Sequence, residues 1–171
     1  MKTLIAIDLQ NDFIDGALGT KEAVAIIPNV KKKIEEYKSA GNQIIFTRDT
    51  HYDNYMETSE GKHLPVPHCI IGTDGWNIHS EIDIPECVHL NKETFGFIYW
   101  NWCDEDFYGE EIELVGLCTD ICVVSNAMLL KAMFPEIKIT VDASCCAGVT
   151  PETHKAALQT MKMCQINVIG E

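Results

Sequence analysis

Short apolar runs alternate with helical stretches along the chain, and this alternation restricts the possible folds more than any other feature of the sequence. The runs are nearly continuous in apolar residues, which is typical of strands in a parallel sheet whose two faces are both covered by helices. Strands of this kind are predicted at Thr3–Asp8, Gln43–Thr47, Cys87–Leu90, Glu113–Leu117, Ile137–Val141 and Ile166–Ile169.

Three longer helices are predicted between these strands from amphipathic periodicity and from the residues at their ends. They span Pro28 to Ala40, with Pro28 in the first turn and Gly41 at the end, then about Asp120 to Met133, then Pro151 to about Met163, with Thr150 as the N-cap. Since strand–helix–strand crossovers are right-handed, we expect one α/β domain over residues 1–171. It would be a doubly wound, Rossmann-like, mainly parallel six-stranded sheet of order 3-2-1-4-5-6 with helices on both faces.

Charge and cysteine content limit the class of protein. The formal net charge of −13 argues against nucleic acid or an anionic membrane as a partner, because both would be repelled. A chain of 171 residues can build a core without disulfides, although it has eight cysteines. The apolar run before Asp8 is too short for the core of a signal peptide. We therefore expect a cytoplasmic location and reduced thiols.

Polar residues that follow the predicted strands are expected to meet at one edge of the sheet. Asp8 ends the first strand, Asp49 follows the second, Lys92 follows the third, and Cys118 to Cys122 follows the fourth. In an open parallel sheet, ligands bind outside the carboxyl ends of the strands, where the strand order reverses. The predicted order places that crevice between strands one and four, so Asp8 and Cys122 would face each other across it.

These residue types suit nucleophilic catalysis. A thiol near a helix N-terminus has a lowered pKa, and Lys92 would lower the pKa of Cys122 further. Asp8 could then take the thiol proton and later donate it to a leaving amine. Considered singly, each residue also has a simpler interpretation: Cys122 as a buried structural cysteine, Asp8 as a turn residue and Lys92 as a solvated charge.

A second group of polar residues lies in the long segment between Asp49 and Asn77, whose length favours a functional loop. Carboxylates and imidazoles at this spacing suit Zn²⁺, Fe²⁺ or Mn²⁺, although the histidines could also be surface residues of a polar loop. The candidate ligands are Asp49, His51, Glu60, His63 and His68.

Five motifs in order carry a resemblance to a known family. The segments are IAIDLQNDF at Ile5–Phe13, TRDTHYDN at Thr47–Asn54, PVPHCIIGTDGW at Pro65–Trp76, NKETFGF at Asn91–Phe97 and VGLCTDICV at Val115–Val123. Together they resemble the isochorismatase-like cysteine hydrolases and, within them, the nicotinamidase-like branch. Each motif alone is modest, but five in this order are specific, and they span nearly the whole chain.

The resemblance implies roles for particular residues. It implies a catalytic triad of Asp8, Lys92 and Cys122, a cis peptide before Cys118, and an oxyanion hole formed by the backbone N–H groups of Cys118 and Cys122. It also implies a divalent metal, expected to be Zn²⁺ with Fe²⁺ or Mn²⁺ as alternatives, that orients the substrate. The implied ligands are Asp49, His51, His68 and Glu60, with Glu57 and His63 as alternatives to Glu60.

The resemblance further implies hydrolysis of a small carboxamide, with nicotinamide to nicotinate plus ammonia as the leading reaction. A carbamoyl or ureido compound is the alternative substrate, and a non-catalytic metal- or ligand-binding protein is the alternative outside the enzymes. We expect Phe13, Phe97 and Leu117 to line the pocket, with Trp76 and Trp100 as further stacking candidates. A homo-oligomer is expected on the resemblance alone. Cys118 stands where nicotinamidases often have Ala; like the Cys145–Cys146 pair, its side chain is expected in the core or a loop.

Overall fold

The structure is a computed structural model that describes all residues, 1–171. Its centre is a six-stranded sheet of order β3-β2-β1-β4-β5-β6, in which every pair of neighbours is parallel. The predicted fold class and strand order are therefore confirmed. The strands are β1 (Lys2–Ile7), β2 (Gln43–Asp49), β3 (Val88–Lys92), β4 (Glu111–Leu117), β5 (Lys138–Ala147) and β6 (Asn167–Ile169).

Six α-helices connect or flank the strands: α1 (Asn11–Ile14), α2 (Lys21–Ser39), α3 (Ser59–His63), α4 (Glu105–Tyr108), α5 (Val124–Met133) and α6 (Pro151–Met163). As predicted, α6 begins with Thr150 as its N-cap and Pro151 in its first turn. None of the helices combines the length and the apolar character that crossing a bilayer requires.

The start of α2 was predicted wrongly. The helix begins at Lys21, seven residues before Pro28, and the hydroxyl of Thr20 caps it by accepting from the Ala23 N–H. Proline is common in the first turn of a helix, so Pro28 suggested a start. Here it lies inside the helix, where burial of residues on both sides of it, including Ala23 and Ile34, stabilises the continuous helix.

Helices pack on both faces of the sheet and bury a core on each side. One core gathers residues of α5 and α6 with alternate residues of the strands, and the other gathers residues of α2 with the remaining ones. The adjacent Cys145 and Cys146 illustrate the alternation, because they lie in β5 and point into opposite cores. All eight cysteines are free thiols.

The long segment after β2 is held against the edge where the strands end. It contains single turns at Tyr55–Glu57 and Asp74–Trp76 in addition to α3. An isolated bridge pairs His51 with Ile70, and another pairs Gln10 with Ile78. These bridges fix both ends of the segment, so its polar side chains have defined positions above the sheet.

Candidate active site

Asp8 lies directly after β1 and is fully buried. Its backbone has a positive φ of 47°, a conformation that aspartate tolerates better than most residues. The Thr47 hydroxyl donates to Asp8 Oδ1 at 2.6 Å and accepts from the Asp8 N–H at 3.1 Å. Burial raises the pKa of the Asp8 carboxyl, while Lys92 and the Thr47 hydroxyl act in the opposite direction. Asp8 is therefore held firmly and has the proton affinity that a base needs.

Lys92, at the end of β3, lies between three groups that can carry negative charge. Its Nζ is 2.6 Å from Asp8 Oδ2, 3.3 Å from Asp49 Oδ1 and 3.6 Å from Cys122 Sγ. Burial lowers the pKa of the ammonium, but the anionic neighbours raise it by more, so its pKa lies above the ordinary lysine value. Lys92 is therefore a fixed positive charge beside the thiol.

Cys122 is buried in a wide helical turn, Thr119–Val123, that joins β4 to α5. Burial raises its pKa well above the ordinary thiol value, and Asp8 and Asp49 add to this, against the opposing effect of Lys92. The prediction that the pKa of Cys122 is lowered is therefore wrong. Removing the thiolate completely from water costs more free energy than the attraction of one nearby ammonium provides. Burial and the two carboxylates thus favour the protonated thiol over the thiolate.

The backbone before Cys122 has the implied geometry. The peptide bond between Leu117 and Cys118 is cis, and the N–H of Cys118 has no acceptor within the protein. The carbonyl of Cys122 accepts from the buried Asn126 side chain at 2.8 Å. The turn is therefore anchored on its helical side and leaves a free donor near the thiol.

Four side chains beside Asp8, Lys92 and Cys122 form a group that could hold a metal. One ligand atom from each of Asp49, His51, Glu60 and His68 lies within 4.8 Å of all the others. His51 Nε2 is 2.9 Å from Asp49 Oδ2 and 3.5 Å from Glu60 Oε1, and His68 Nε2 is 3.7 Å and 3.8 Å from the same two atoms. Tetrahedral Zn²⁺ with bonds of about 2.1 Å separates its ligand atoms by about 3.4 Å. These four residues therefore fit a small divalent ion.

Outer contacts orient this group in the manner of metal sites. His68 Nδ1 bonds the Val66 carbonyl at 2.8 Å, which leaves Nε2 facing the group. Gln10 binds the Asp49 backbone twice, by donating to its carbonyl at 2.9 Å and by accepting from its N–H at 2.7 Å. Of the alternatives to Glu60, His63 directs Nδ1 to the Ser59 carbonyl, and neither His63 nor Glu57 belongs to the group.

Both sets of residues open onto one cavity of about 650 Å³. Asp49, Glu60 and His68 line it from the metal-binding group, and Cys118 and Cys122 line it from the turn after β4. The Cys118 side chain, expected in the core or a loop, is thus part of the cavity wall. A small molecule in this cavity could touch the thiol and the four-residue group at once.

The expected pocket residues are only partly correct. Phe13 lines the cavity and contacts His68 edge-on, with ring centroids 5.4 Å apart. Phe97 does not line it, because its ring packs on Trp100 at 5.0 Å and its N–H is bound by Asn126. Leu117 does not either, since its side chain is in the core. Phe95 lines the cavity instead.

Three residues that were not predicted from the sequence position the site: Thr47 beside Asp8, Gln10 beneath Asp49, and Asn126 behind Cys122. Each has a signal in the sequence. Gln10 lies inside the IAIDLQNDF motif, Thr47 begins the TRDTHYDN motif, and Asn126 is four residues after Cys122, on the same helical face.

Comparisons with known proteins agree with this geometry. The family model of the isochorismatase domain matches residues 2–170. The nicotinamidase/pyrazinamidase of Mycobacterium tuberculosis is 25% identical, covering 99% of this chain and 98% of that protein. A crystal structure of Bacillus subtilis nicotinamidase/pyrazinamidase matches with a TM-score of 0.83 at 25% identity, covering 98% of this chain and 99% of the other.

A crystal structure of Pyrococcus horikoshii pyrazinamidase in complex with zinc matches with a TM-score of 0.82 at 29% identity, covering 99% of each chain. The family match spans nearly all of the sequence. The recognised motifs, the strand order and the matched structures are mutually consistent. The chain belongs to the isochorismatase family, and within it is similar to the nicotinamidases.

Proposed function

We propose that this hydrolase is a cysteine amidase that converts nicotinamide to nicotinate and ammonia. One observation carries the proposal: the contact of Lys92 with Asp8 and Cys122 lies directly beside a four-ligand group, and both face one cavity. The comparison with nicotinamidases of other organisms supports the choice of substrate.

The first half of the reaction uses the proton affinity of Asp8. Asp8 takes the proton of Cys122 as the sulfur attacks the carboxamide carbon, so the buried thiolate forms only together with the new C–S bond. Lys92 remains charged throughout and offsets the negative charge that moves among Asp8, the sulfur and the substrate. This role requires Lys92 to lie between Asp8 and Cys122, and its short distances from both residues support it.

The second half releases the amine and restores the thiol. The backbone N–H groups of Cys118 and Cys122 hold the oxyanion of the tetrahedral intermediate. Asp8 returns its proton to the departing nitrogen, the C–N bond breaks, and ammonia leaves a thioester on Cys122. Asp8 then takes one proton from a water molecule as the water oxygen attacks the thioester carbon. The C–S bond breaks, the sulfur receives that proton from Asp8, and the acid product leaves as a carboxylate after losing its remaining proton to solvent.

Asp49, His51, Glu60 and His68 would hold a divalent metal ion, with Zn²⁺ as the first candidate. Bound there, the ion would supply a Lewis acid that binds the ring nitrogen of the substrate and orients the carboxamide. The residues around it keep their own tasks: Phe13 covers one side of the cavity, and Gln10 holds the Asp49 backbone.

Another small amide, such as a carbamoyl or ureido compound, is the second candidate. The cavity volume of about 650 Å³ is consistent with such a substrate, because a single pyridine ring does not fill that volume. A non-catalytic binding protein is less consistent with the structure, since all three residues of the triad are present and Lys92 contacts both of the others.

Ammonia release from nicotinamide by the purified, metal-supplied protein tests the proposal, with Cys122→Ala as the control. We expect turnover by the wild type and a loss of well over 100-fold in the variant. Turnover by Cys122→Ala at even a hundredth of the wild-type rate would contradict the mechanism. No turnover of nicotinamide, with turnover of a ureido compound, would keep the mechanism and replace the substrate.

A further inference from the structure

Carboxylates outnumber the other ionisable side chains that line the cavity. Three carboxylates line it, those of Asp49, Glu60 and Glu93, together with two histidines, His63 and His68, and no lysine or arginine side chain does. The Lys92 ammonium does not line the cavity and is already paired with Asp8 and Asp49. The cavity therefore offers neither a lysine nor an arginine to a ligand that carries a carboxylate.

Most of the carboxylates in and beside the cavity have a positive partner that offsets their charge, but Glu93 has none. Lys92 offsets Asp8, and a divalent ion in the four-residue group would offset Asp49 and Glu60. Glu93 forms no salt bridge; its only side-chain partner is the Tyr52 hydroxyl, which donates to Oε1 at 3.1 Å. A hydroxyl donor fixes the direction of the carboxylate but leaves its charge in place. Glu93 thus gives the cavity a net negative potential.

We propose that Glu93 is a specificity-determining residue that makes the cavity admit uncharged amides and exclude anionic ones. This inference rests on the proposed amidase function and narrows its substrate class to amides without a carboxylate. It disfavours carbamoyl and ureido acids relative to an uncharged ring carboxamide. It also implies that the carboxylate product, which has the shape of the amide but one negative charge, binds weakly and leaves readily.

A matched pair of thiol reagents tests the charge selection without depending on amidase activity. Iodoacetamide and iodoacetate differ only as an uncharged amide differs from a carboxylate, and both are thiol reagents small enough to enter the cavity that Cys122 lines. Cys164 is exposed and lies outside the cavity, so it serves as the reference thiol in the same sample. Peptide fragmentation separates the Cys122 adduct from that of Cys118.

The measured quantity is the ratio of the iodoacetamide rate to the iodoacetate rate at Cys122, divided by the same ratio at Cys164. We expect a value of at least about three for the wild type at low salt, falling as salt screens the charge. Glu93→Gln should bring it close to one, and Glu93→Lys should bring it below one. Glu136→Gln, which removes an exposed carboxylate elsewhere, should leave it unchanged.

A ratio that is the same in wild type, Glu93→Gln and Glu93→Lys would overturn the inference. Failure of the proposed function looks different, because it appears as the absence of ammonia release from every carboxamide tested. In an active enzyme a second readout follows: Glu93→Gln should lower the inhibition constant of nicotinate by about threefold and should change the KM for nicotinamide by a smaller factor.

Discussion

Asp49 joins the candidate metal site to the candidate triad through its contact with Lys92. Its Oδ1 lies 3.3 Å from Lys92 Nζ, while its Oδ2 lies 2.9 Å from His51 Nε2. Burial raises the pKa of this carboxyl, but His51, His68 and Lys92 lower it by more, so its pKa lies well below the ordinary value. One carboxylate therefore contacts both Lys92 and His51, and its loss should harm both halves of the site.

Asp49→Asn keeps the size of the side chain and removes its charge. We expect metal affinity to fall by at least about 100-fold, because one of four ligands is weakened and its contacts are disturbed. We also expect kcat to stay low in excess metal, since Lys92 has lost one of its two carboxylate partners. Metal content by elemental analysis and kcat at saturating metal would measure the two effects.

Glu60→Gln is the matched control, because Glu60 belongs to the metal-binding group but forms no salt bridge with Lys92. Excess metal should restore most of its kcat. Equal recovery of both variants would show that Asp49 acts only as a ligand, and the link to the triad would have to be abandoned.

The Thr47 hydroxyl supports Asp8, and Thr47→Val should reduce kcat by about tenfold, the effect of losing one hydrogen bond to a charged group. That hydrogen bond lowers the pKa of Asp8. Its loss should raise this pKa and move the acidic limb of the kcat/KM profile to higher pH. Steady-state kinetics across pH would measure both changes.

Thr140→Val provides the comparison for this prediction. Thr140 is buried in the same sheet and donates to Glu111 Oε1 at 2.7 Å, far from the cavity in the fold. The Thr140→Val variant should lose about as much free energy of unfolding as Thr47→Val, but it should keep its activity and pH profile. If Thr47→Val behaves like Thr140→Val, the Thr47 hydrogen bond is structural only.

The strand order could be predicted from the sequence because it follows from local patterns and handedness. Continuous apolar runs such as Gln43–Thr47 mark buried strands wherever they occur, and right-handed crossovers then leave few orders. The start of α2 could not be predicted in the same way. Pro28 suits a first turn, and its position inside the helix is decided by burial of residues on both sides of it.

The candidate site also combines features that the sequence predicts with features that depend on the tertiary structure. Asp8, Lys92 and Cys122 follow strand ends, so the sheet brings them together once its order is known. Phe95 lines the cavity where Phe97 was predicted, and this depends on the conformation of the turn after β3. Hydrophobic periodicity in the sequence does not predict the conformation of such a turn. The pKa of Cys122 depends on complete burial, which only the tertiary structure gives.

Gly116 in β4 marks a position where only glycine fits. Its φ is 125°, and a Cβ there would lie 2.0 Å from the carbonyl oxygen of Ile7, the residue before Asp8. Gly116→Ala should lower the free energy of unfolding by about 3 kcal/mol, through backbone strain and displacement of β1. Activity of the folded fraction should also fall, because both Asp8 and Cys118 lie next to the displaced residues. Denaturant unfolding and kinetics would measure this.

Gly41→Ala separates the two causes. Gly41 also has a positive φ, 68°, but nothing lies within 4 Å of an added Cβ. It should cost about 1 kcal/mol from backbone strain alone and leave kcat unchanged. Equal losses of unfolding free energy in Gly116→Ala and Gly41→Ala would mean that the close approach of the added Cβ to the Ile7 carbonyl oxygen does not destabilise the protein.

Glu111 should make the stability of the protein fall in acid. It lies at the start of β4, where Lys2 and Lys138 each approach its carboxylate to 2.8 Å. Burial raises its pKa, but these partners and Thr140 lower it by more, to about 2. The unfolded chain binds this proton at a pKa of about 4.3. The stabilisation is therefore complete above the unfolded pKa and is lost as pH falls from there towards 2.

Glu111→Gln should reduce the free energy of unfolding at pH 7 and flatten its decrease between pH 5 and pH 3, without abolishing it. Asp142 also has a lowered pKa through Ser144 and Lys33, and it contributes to the same acid limb. Urea unfolding at a series of pH values would measure the slope. The neighbouring Glu110 is exposed and forms no salt bridge, so Glu110→Gln should reproduce the wild-type slope. If Glu111→Gln instead gave a curve parallel to the wild type, the two lysines would not be stabilising the ionised carboxylate, and the acid sensitivity would have to come from other groups.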